Sequence, residues 1–451
     1  MLWGIREAWN EKKTIDWGKL FDFIKKYIDR NEFWQNKFKI VDIHRSIADH
    51  EWVIGMIGDL IQVGTKSDNL AFEEKHFSVA QEIIFLIIEN LQVQEEKEIS
   101  DPVTHALNSP FGKTITALIY LAWHIAKTED RRGKKAEVKW SDNLKNKYEE
   151  ILEKGVVEAY TLFGQYIQSL YYLDKLWVEQ KIKKLESIQK IQLWSVFMNG
   201  YLFGSRVYDD LYKLMGKHYL KAMSYTFKEE HSEEGLVQHI AIGYLRNLED
   251  LTENSLFGMM LKKWSPSQIR EIIGFFWMQR DYLVRSIDTG VPIPSSDENE
   301  KIKNKIIEFW RWLYKRYKDG ESLDDDDKKI LSSVAKLTVF LPKIDRESFE
   351  WLILSAQYIN LDFNAPFFIE SLDELKDKGD KFESARYVGK IFLKMLNVFT
   401  PDYVEKHIRS IVEFLYELKD EETTNSANKI CNICGSRGQE FLRDIYEKYT
   451  N

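Results

Sequence analysis

The tripeptide Gly112-Lys113-Thr114 is the first candidate for chemistry, because the same residue types end the loop that wraps nucleotide phosphates. That loop also needs a glycine five positions before Gly112, where this chain has Leu107. Pro110 removes one of the amides that would contact phosphate. A helix start fits the segment better, with Asn108 and Ser109 as capping residues and Pro110 at the first helical position.

Cys431 and Cys434 form a C-x-x-C pair, the spacing found in zinc sites and in thiol redox centres. A structural zinc ion needs four ligands, and His407 is a single upstream histidine with no partner at a suitable spacing. A redox pair needs a strand-to-helix context, whereas the residues before Cys431 have a helical pattern. We interpret both cysteines as small buried residues on one helix, with metal or redox chemistry as the weaker alternative.

Other patterns associated with catalysis or metal binding are missing from the sequence. The nine histidines form no H-E-x-x-H or H-x-H sequence. The run Asp324 to Asp327 lacks the central glycine of a calcium loop and is typical of a helix N-terminus, where carboxylates favour the helix dipole. Spacing cannot single out a glycosidase-type carboxylate pair among 72 acidic residues. We expect no catalytic, metal-binding or cofactor-binding residues, and therefore no enzyme.

Aromatic and basic residues alternate over 310–317, as they do in surfaces that stack nucleic-acid bases. On a helix, however, Arg311 and Lys315 lie opposite the aromatic arc, so base stacking and phosphate contacts would face different ways. Core packing is the favoured interpretation. Where the arc stays uncovered, its rings would anchor a protein partner. The predicted partner-binding residues are Trp310, Trp312, Tyr314 and Tyr317.

The composition is that of a folded protein with a large apolar core. Of the 451 residues, 44% are hydrophobic, and 14 Trp, 22 Tyr and 26 Phe supply much aromatic surface. The net charge of -8 offers no general attraction to a phosphate backbone, which disfavours nucleic acid as a partner. Charged residues close to Met1 argue against a signal peptide, and no apolar run approaches the roughly 20 residues of a membrane span. With only two cysteines, the chain is expected in the cytoplasm and away from membranes.

Helical periodicity recurs along the chain, and strand-like alternation is nearly absent. Several segments are apolar around more of their circumference than a one-sided surface helix would be, so each needs neighbours on two sides. Stacked helical pairs supply such neighbours. The predicted fold is therefore all-α, an α-solenoid of stacked antiparallel helical pairs, tetratricopeptide-like but with irregular repeats. The predicted helices span 16–30, 46–64, 71–92, 111–127, 141–153, 156–186, 191–203, 205–227, 233–248, 266–285, 299–318, 327–340, 346–359, 365–376, 382–398, 401–419 and 425–449.

Two polar connections, 128–139 and 286–300, are the best places to divide this array. They predict three blocks of helical repeats: an N-terminal, a central and a C-terminal block. The blocks span 1–130, 131–290 and 291–451.

The segment 101–113 resembles a motif in the C-terminal helical regions of bacterial antiviral STAND NTPases (Avs proteins) and related prokaryotic NLR-like defence proteins. In that family a basic residue precedes the glycine, whereas this chain has Phe111, which puts any contact made by that basic residue in doubt. The segment 427–449 looks like the closing helical repeat of the same proteins. The motif residues are Ala106, Leu107, Asn108, Ser109, Pro110, Gly112 and Lys113.

The resemblance implies a sensor that recognises a phage protein, the terminase large subunit or the portal, by shape. In the family, binding drives oligomerisation through a central ATPase and activates an effector. Neither the ATPase nor the effector is found in this sequence, so we expect an isolated sensor region or a stand-alone relative. Oligomerisation would then depend on parts of a longer protein. The alternatives are a generic α-solenoid scaffold for host protein complexes and, less favoured, an enzyme or nucleic-acid-processing subunit with a polar cleft. Steep weakening of binding with salt would indicate nucleic acid.

Overall fold

The computed structural model of the chain describes residues 1–35, 50–66, 70–91, 99–134, 136–188, 190–204, 206–263, 265–284, 296–318, 323–361, 363–399, 401 and 403–450. Over these ranges the regular structure consists of α-helices and two short 3-10 segments, Glu74–His76 and Ala335–Phe340, without a strand. This confirms the all-α class that the apolar periodicity predicted.

Contacts divide the chain into two units, Met1–Leu236 and Val237–Asn451. The three-block division stays a prediction, and most of its second break, 286–300, lies outside the described residues. The first unit contains α1 (Leu2–Asn10), α2 (Trp17–Ile28), α3 (Asn31–Trp34), α4 (His50–Val63), α5 (Phe77–Asn90), α6 (Pro102–Asn108), α7 (Pro110–Arg131), α8 (Asp142–Glu153), α9 (Val157–Gln165), α10 (Ile167–Leu173), α11 (Lys175–Glu186), α12 (Ile191–Gly204), α13 (Asp209–Leu214) and α14 (Gly216–Ala222).

The division between the units falls inside the next helix, α15 (Glu230–Leu245). The second unit continues with α16 (Leu256–Lys263), α17 (Pro266–Met278), α18 (Arg280–Leu283), α19 (Ser296–Tyr317), α20 (Asp325–Val334), α21 (Arg346–Ala356), α22 (Ala365–Leu375), α23 (Lys381–Leu396), α24 (Glu405–Glu417), α25 (Glu421–Ser436) and α26 (Arg443–Thr450).

The later helices of the second unit form a stack. Here α21 packs against α23, and α23 against α25, while α22 packs against α24, and α24 against α26. Helices that follow each other in sequence also touch, as α23 does with α24 and α24 with α25. Each pair thus buries its apolar faces against the next pair, which is the arrangement of an α-solenoid and confirms the predicted fold class.

In the first unit α9 and α12 cross with their backbones in close contact, because a glycine of each helix lies at the crossing. A Cβ atom on Gly200 of α12 would lie 1.9 Å from the carbonyl oxygen of Thr161, and one on Gly164 of α9 would lie 2.1 Å from that of Phe197. No side chain fits at such distances. The crossing therefore depends on glycine at both positions.

Some predicted helices are interrupted where the apolar pattern continues. The segment 156–186 is not one helix but three, α9 to α11, with breaks at Tyr166 and Asp174. Asp174 caps α11, because its carboxylate accepts a hydrogen bond from the Trp177 amide at 2.9 Å. Predicted single helices are likewise divided into α13 and α14, α17 and α18, and α25 and α26.

Candidate interaction site

The motif segment forms the junction between α6 and α7. Ser109 caps α7, because its hydroxyl accepts a hydrogen bond from the Gly112 amide at 3.0 Å. Pro110 follows at the first helical position, so the predicted helix start at Ser109 and Pro110 is confirmed. Asn108 does not cap α7, and that prediction is wrong. Asn108 is instead the last residue of α6, and its side-chain amide donates to the carbonyl oxygen of Thr104, one turn earlier in that helix, at 2.8 Å.

The apolar members of the motif hold the two helices together. A Cβ atom on Gly112 would lie 1.8 Å from the carbonyl oxygen of Ala106, so only glycine allows this approach of α7 to α6. Ala106 and Phe111 are buried, and Leu107 is half-buried. Phe111, at the position where related motifs carry a basic residue, is thus a core residue here.

Two polar side chains of the segment bind one carboxylate of α9. The Nε2 atom of His105 lies 3.3 Å from Oε1 of Glu158, and the hydroxyl of Ser109 donates to the same oxygen at 3.4 Å. Glu158 is only 9% exposed. The serine hydroxyl and the imidazole thus share one oxygen of the Glu158 carboxylate, which joins the α6–α7 junction to α9.

Lys113 binds a carboxylate of α4. Its Nζ atom lies 3.1 Å from Oδ2 of Asp59, and the guanidinium of Arg6 lies 3.0 Å from the same oxygen. The hydroxyl of Thr114 donates to the carbonyl oxygen of Pro110 at 2.8 Å. The lysine and threonine that suggested a phosphate loop are therefore engaged in contacts within the protein.

The predicted partner-binding aromatics of α19 divide into two groups. Trp310 and Tyr317 are 1% and 5% exposed, and Trp310 packs against Trp351 with ring centroids 5.7 Å apart. Burial also raises the pKa of Tyr317 to about 12. These two rings belong to the core, because neighbouring helices cover α19, which corrects their prediction as anchors. Trp312 and Tyr314 are half-buried, and partner binding by them stays a prediction.

The remaining sequence candidates take structural positions. Cys431 and Cys434 are buried free thiols, as the packing interpretation predicted, and burial raises the pKa of Cys434 to about 11. His407 binds Asp373, with Nδ1 and Oδ2 2.8 Å apart. In the aspartate run, Asp324 caps α20 by accepting from the Asp327 amide at 2.8 Å, as expected for a helix start.

A set of contacts that the sequence did not reveal joins successive layers of the second unit. In each contact an arginine binds both oxygens of a carboxylate at the N-terminal end of the helix two places further on. The sequence separations are 36, 34 and 35 residues, close to the roughly 34-residue period of a tetratricopeptide repeat. That spacing of arginine and acidic residues is the signal that could have shown the repeat. The pairs are Arg311 with Glu347, Arg386 with Asp420, and Arg409 with Asp444.

In the described part of the chain, no helix has both the length and the apolar character needed to cross a membrane. No group of three or more His, Cys, Asp or Glu side chains in the described ranges is arranged to hold a metal ion.

Comparison with known proteins adds little. No protein-family model and no curated protein matches the chain. Among solved structures, the crystal structure of an engineered protein from a structural-genomics consortium is similar over 94% of each chain, with 12% identity and a TM-score of 0.25. Similarity at that level carries no argument about fold or function.

Proposed function

We propose that the chain is a protein-recognition module and, more specifically, the sensor of an anti-phage defence protein that binds a phage packaging or structural protein in the cytoplasm. One observation carries the choice of binding over catalysis. Three polar side chains of the motif segment, His105, Ser109 and Lys113, bind carboxylates of neighbouring helices that are only 9% exposed, Glu158 and Asp59, and so join helices to one another. The choice of a phage protein rests on the resemblance of 101–113 to the STAND sensor motif.

The stack of the second unit supplies a surface suited to a protein partner. A groove of about 670 Å³ runs along α24 and is open to solvent. Acidic and basic side chains alternate along it around one half-buried aromatic ring, a mixture that fits the polar rim and aromatic anchor of a protein interface better than a phosphate backbone. Its lining includes Lys376, Glu405, Lys406, Arg409, Glu413, Phe414 and Glu417.

The proposal is tested by affinity purification of the tagged chain from phage-infected and uninfected cells. We expect a phage packaging or structural protein, the terminase large subunit or the portal, to be enriched only after infection and to stay bound at raised salt. Recovery of nucleic acid that is lost at raised salt, or of host proteins alone, would contradict the proposal.

Surface variants locate the interface. Trp312→Ala and Tyr314→Ala test the predicted aromatic surface of α19, and Glu413→Lys tests the groove along α24. Glu440→Lys, at an exposed position outside a helix, is the control for a change of charge alone. At least one of the three test variants should reduce recovery of the phage protein while the control does not.

A further inference from the structure

Three basic side chains of the first unit act on one carboxylate, two of them by direct contact. Arg6 of α1 and Lys113 of α7 both contact Oδ2 of Asp59, which is only 9% exposed. Lys66 follows Asp59 by seven residues, in the turn after α4, and interacts electrostatically with both Asp59 and Arg6. We refer to Arg6, Asp59, Lys66 and Lys113 as the Asp59 cluster. It holds three positive charges and one negative charge.

The backbones of α4 and α7 fix the position of the cluster. A Cβ atom on Gly58 would lie 3.0 Å from the backbone carbonyl of Lys113, so the two helices are in close contact beside Asp59. Further along the same pair of helices, the Lys66 ammonium lies 5.3 Å from the ring centroid of Tyr120, which follows Lys113 by seven residues. The Lys66 ammonium therefore lies beside α7, about two turns, or 10 Å, along that helix from the backbone of Lys113.

The cluster has more hydrogen-bond donors than acceptors. Nε of Arg6 is buried and has no hydrogen-bond partner among the described residues, and the same is true of the indole nitrogen of Trp9, one turn further along α1. Lys66 keeps an exposed surface, but the protein packed around its ammonium group lowers its pKa by desolvation, and the Asp59 carboxylate only partly offsets this. A buried donor without an acceptor is costly, and so is a desolvated charge without a counter-charge.

We propose that the Asp59 cluster binds an oxyanion of the phosphate type, between Arg6 and Lys66 and beside Lys113. Such an ion offers several acceptor oxygens and no donor, and a charge of up to two negative units matches the excess of positive charge. This site does not depend on the proposed recognition of a phage protein.

The test is a titration of the full chain with inorganic phosphate and pyrophosphate at constant ionic strength, followed by thermal unfolding and by phosphorus NMR. Lys66→Gln should leave the stability without phosphate unchanged or higher, because it removes a like charge, and should weaken phosphate binding about tenfold or more. Lys26→Gln, at an exposed lysine of α2, is the matched control and should bind phosphate as the unaltered chain does. Equal binding by the two variants would overturn the proposal.

Whereas Lys66→Gln should weaken phosphate binding, Asp59→Asn should strengthen it. It removes the internal carboxylate that competes for the three cations, so the variant should be less stable without phosphate and should bind phosphate several-fold more tightly. Binding no tighter than that of the unaltered chain would overturn the proposal. The same holds if chloride at equal ionic strength reproduces the stabilisation by phosphate.

Discussion

The guanidinium of Arg386 binds both carboxylate oxygens of Asp420, with Nε to Oδ2 at 3.1 Å and NH2 to Oδ1 at 2.6 Å. The same carboxylate caps α25, because it accepts a hydrogen bond from the Thr423 amide at 3.2 Å. Asp420 thus starts one helix and at the same time ties that helix to α23, in the layer before it. Arg386 lowers the pKa of Asp420, so the pair is formed with an ionised carboxylate.

Replacement of Arg386 by lysine keeps the charge but removes the two parallel hydrogen bonds. We expect a lower midpoint of thermal unfolding, with a larger decrease for Arg386→Ala. The pKa of Asp420 is lowered in the folded chain, so the ionised carboxylate stabilises the fold. This stabilisation is complete above the ordinary aspartate pKa and is lost as the pH falls through the lowered pKa of Asp420. Arg386→Lys should weaken this acid-dependent loss. Arg346→Lys, in the first turn of α21, is the control. It should change neither the midpoint of thermal unfolding nor the loss of stability in acid.

Glycine replacements test the crossing of α9 and α12. Gly200→Ala would place a Cβ atom 1.9 Å from the Thr161 carbonyl oxygen, so we expect a loss of at least ~2 kcal/mol in the free energy of unfolding. Gly274 lies within α17, where an added Cβ atom would have no described neighbour within 4 Å, and Gly274→Ala should stabilise the chain by roughly 0.5 to 1 kcal/mol. Chemical unfolding of both variants measures the difference. Equal effects of the two replacements would contradict the close crossing.

The two adjacent residues Asn108 and Ser109 should differ in their effect on stability. Ser109→Ala removes the cap of α7 and a hydrogen bond to Glu158, and should cost about 1 to 2 kcal/mol. Asn108→Ala removes one exposed contact at the end of α6 and should stay within about 0.5 kcal/mol. Unfolding in denaturant measures both, and a greater loss for Asn108→Ala would reverse the assignment of the cap.

A buried histidine should make the first unit sensitive to acid. The indole nitrogen of Trp194 donates to Nδ1 of His218 at 3.0 Å, and Nε2 of His218 lies 3.2 Å from the carbonyl oxygen of Ile182, so the ring is held neutral. Burial lowers the pKa of His218. Because the folded state resists protonation of His218, the neutral ring stabilises the fold. This stabilisation is complete above the ordinary histidine pKa of about 6.5 and is lost as the pH falls from there towards the lowered pKa of His218.

The measurement is the free energy of unfolding between about pH 7 and pH 5 for the unaltered chain and for His218→Gln. The variant should be less stable at neutral pH, because a buried hydrogen bond is lost, but its stability should fall less as the pH decreases. Glu186, Lys217 and Lys221 also act on His218, so the comparison is made at one ionic strength. Identical pH dependence of the two proteins would show that another group is responsible.

Local signals in the sequence predicted most of the helices, although helices such as α1, α6 and α16 fall outside the predicted ranges. Ser109 caps α7, as its residue type and its position before Pro110 indicated, and Asp16, the first residue of the predicted helix 16–30, caps α2 by accepting from the Lys19 amide at 3.1 Å. Other caps were missed, among them Asp174 and Asp420. Asp101 before Pro102 is an equally clear helix start, and its carboxylate accepts from the Thr104 amide at 2.9 Å to begin α6.

Contacts between distant segments could not be predicted in the same way. The apolar arc of α19 favoured core packing, but its sequence could not show which rings are covered, and only the packing of Trp351 and other neighbours showed that Trp310 is buried. Asp59 lies in an apolar segment, and its partners Arg6 and Lys113 are 53 and 54 residues away. The sequence therefore specified the ends and faces of helices better than the pairs of charges that join them.

The central claim, recognition of a phage protein, is tested most directly by sedimentation of the purified chain with purified terminase large subunit and, separately, with purified portal protein. We predict a complex with one of the two that persists when the salt concentration is raised, because recognition by shape depends little on counterion release. The contrary result is free sedimentation of the chain beside both proteins, while it forms a salt-sensitive complex with nucleic acid.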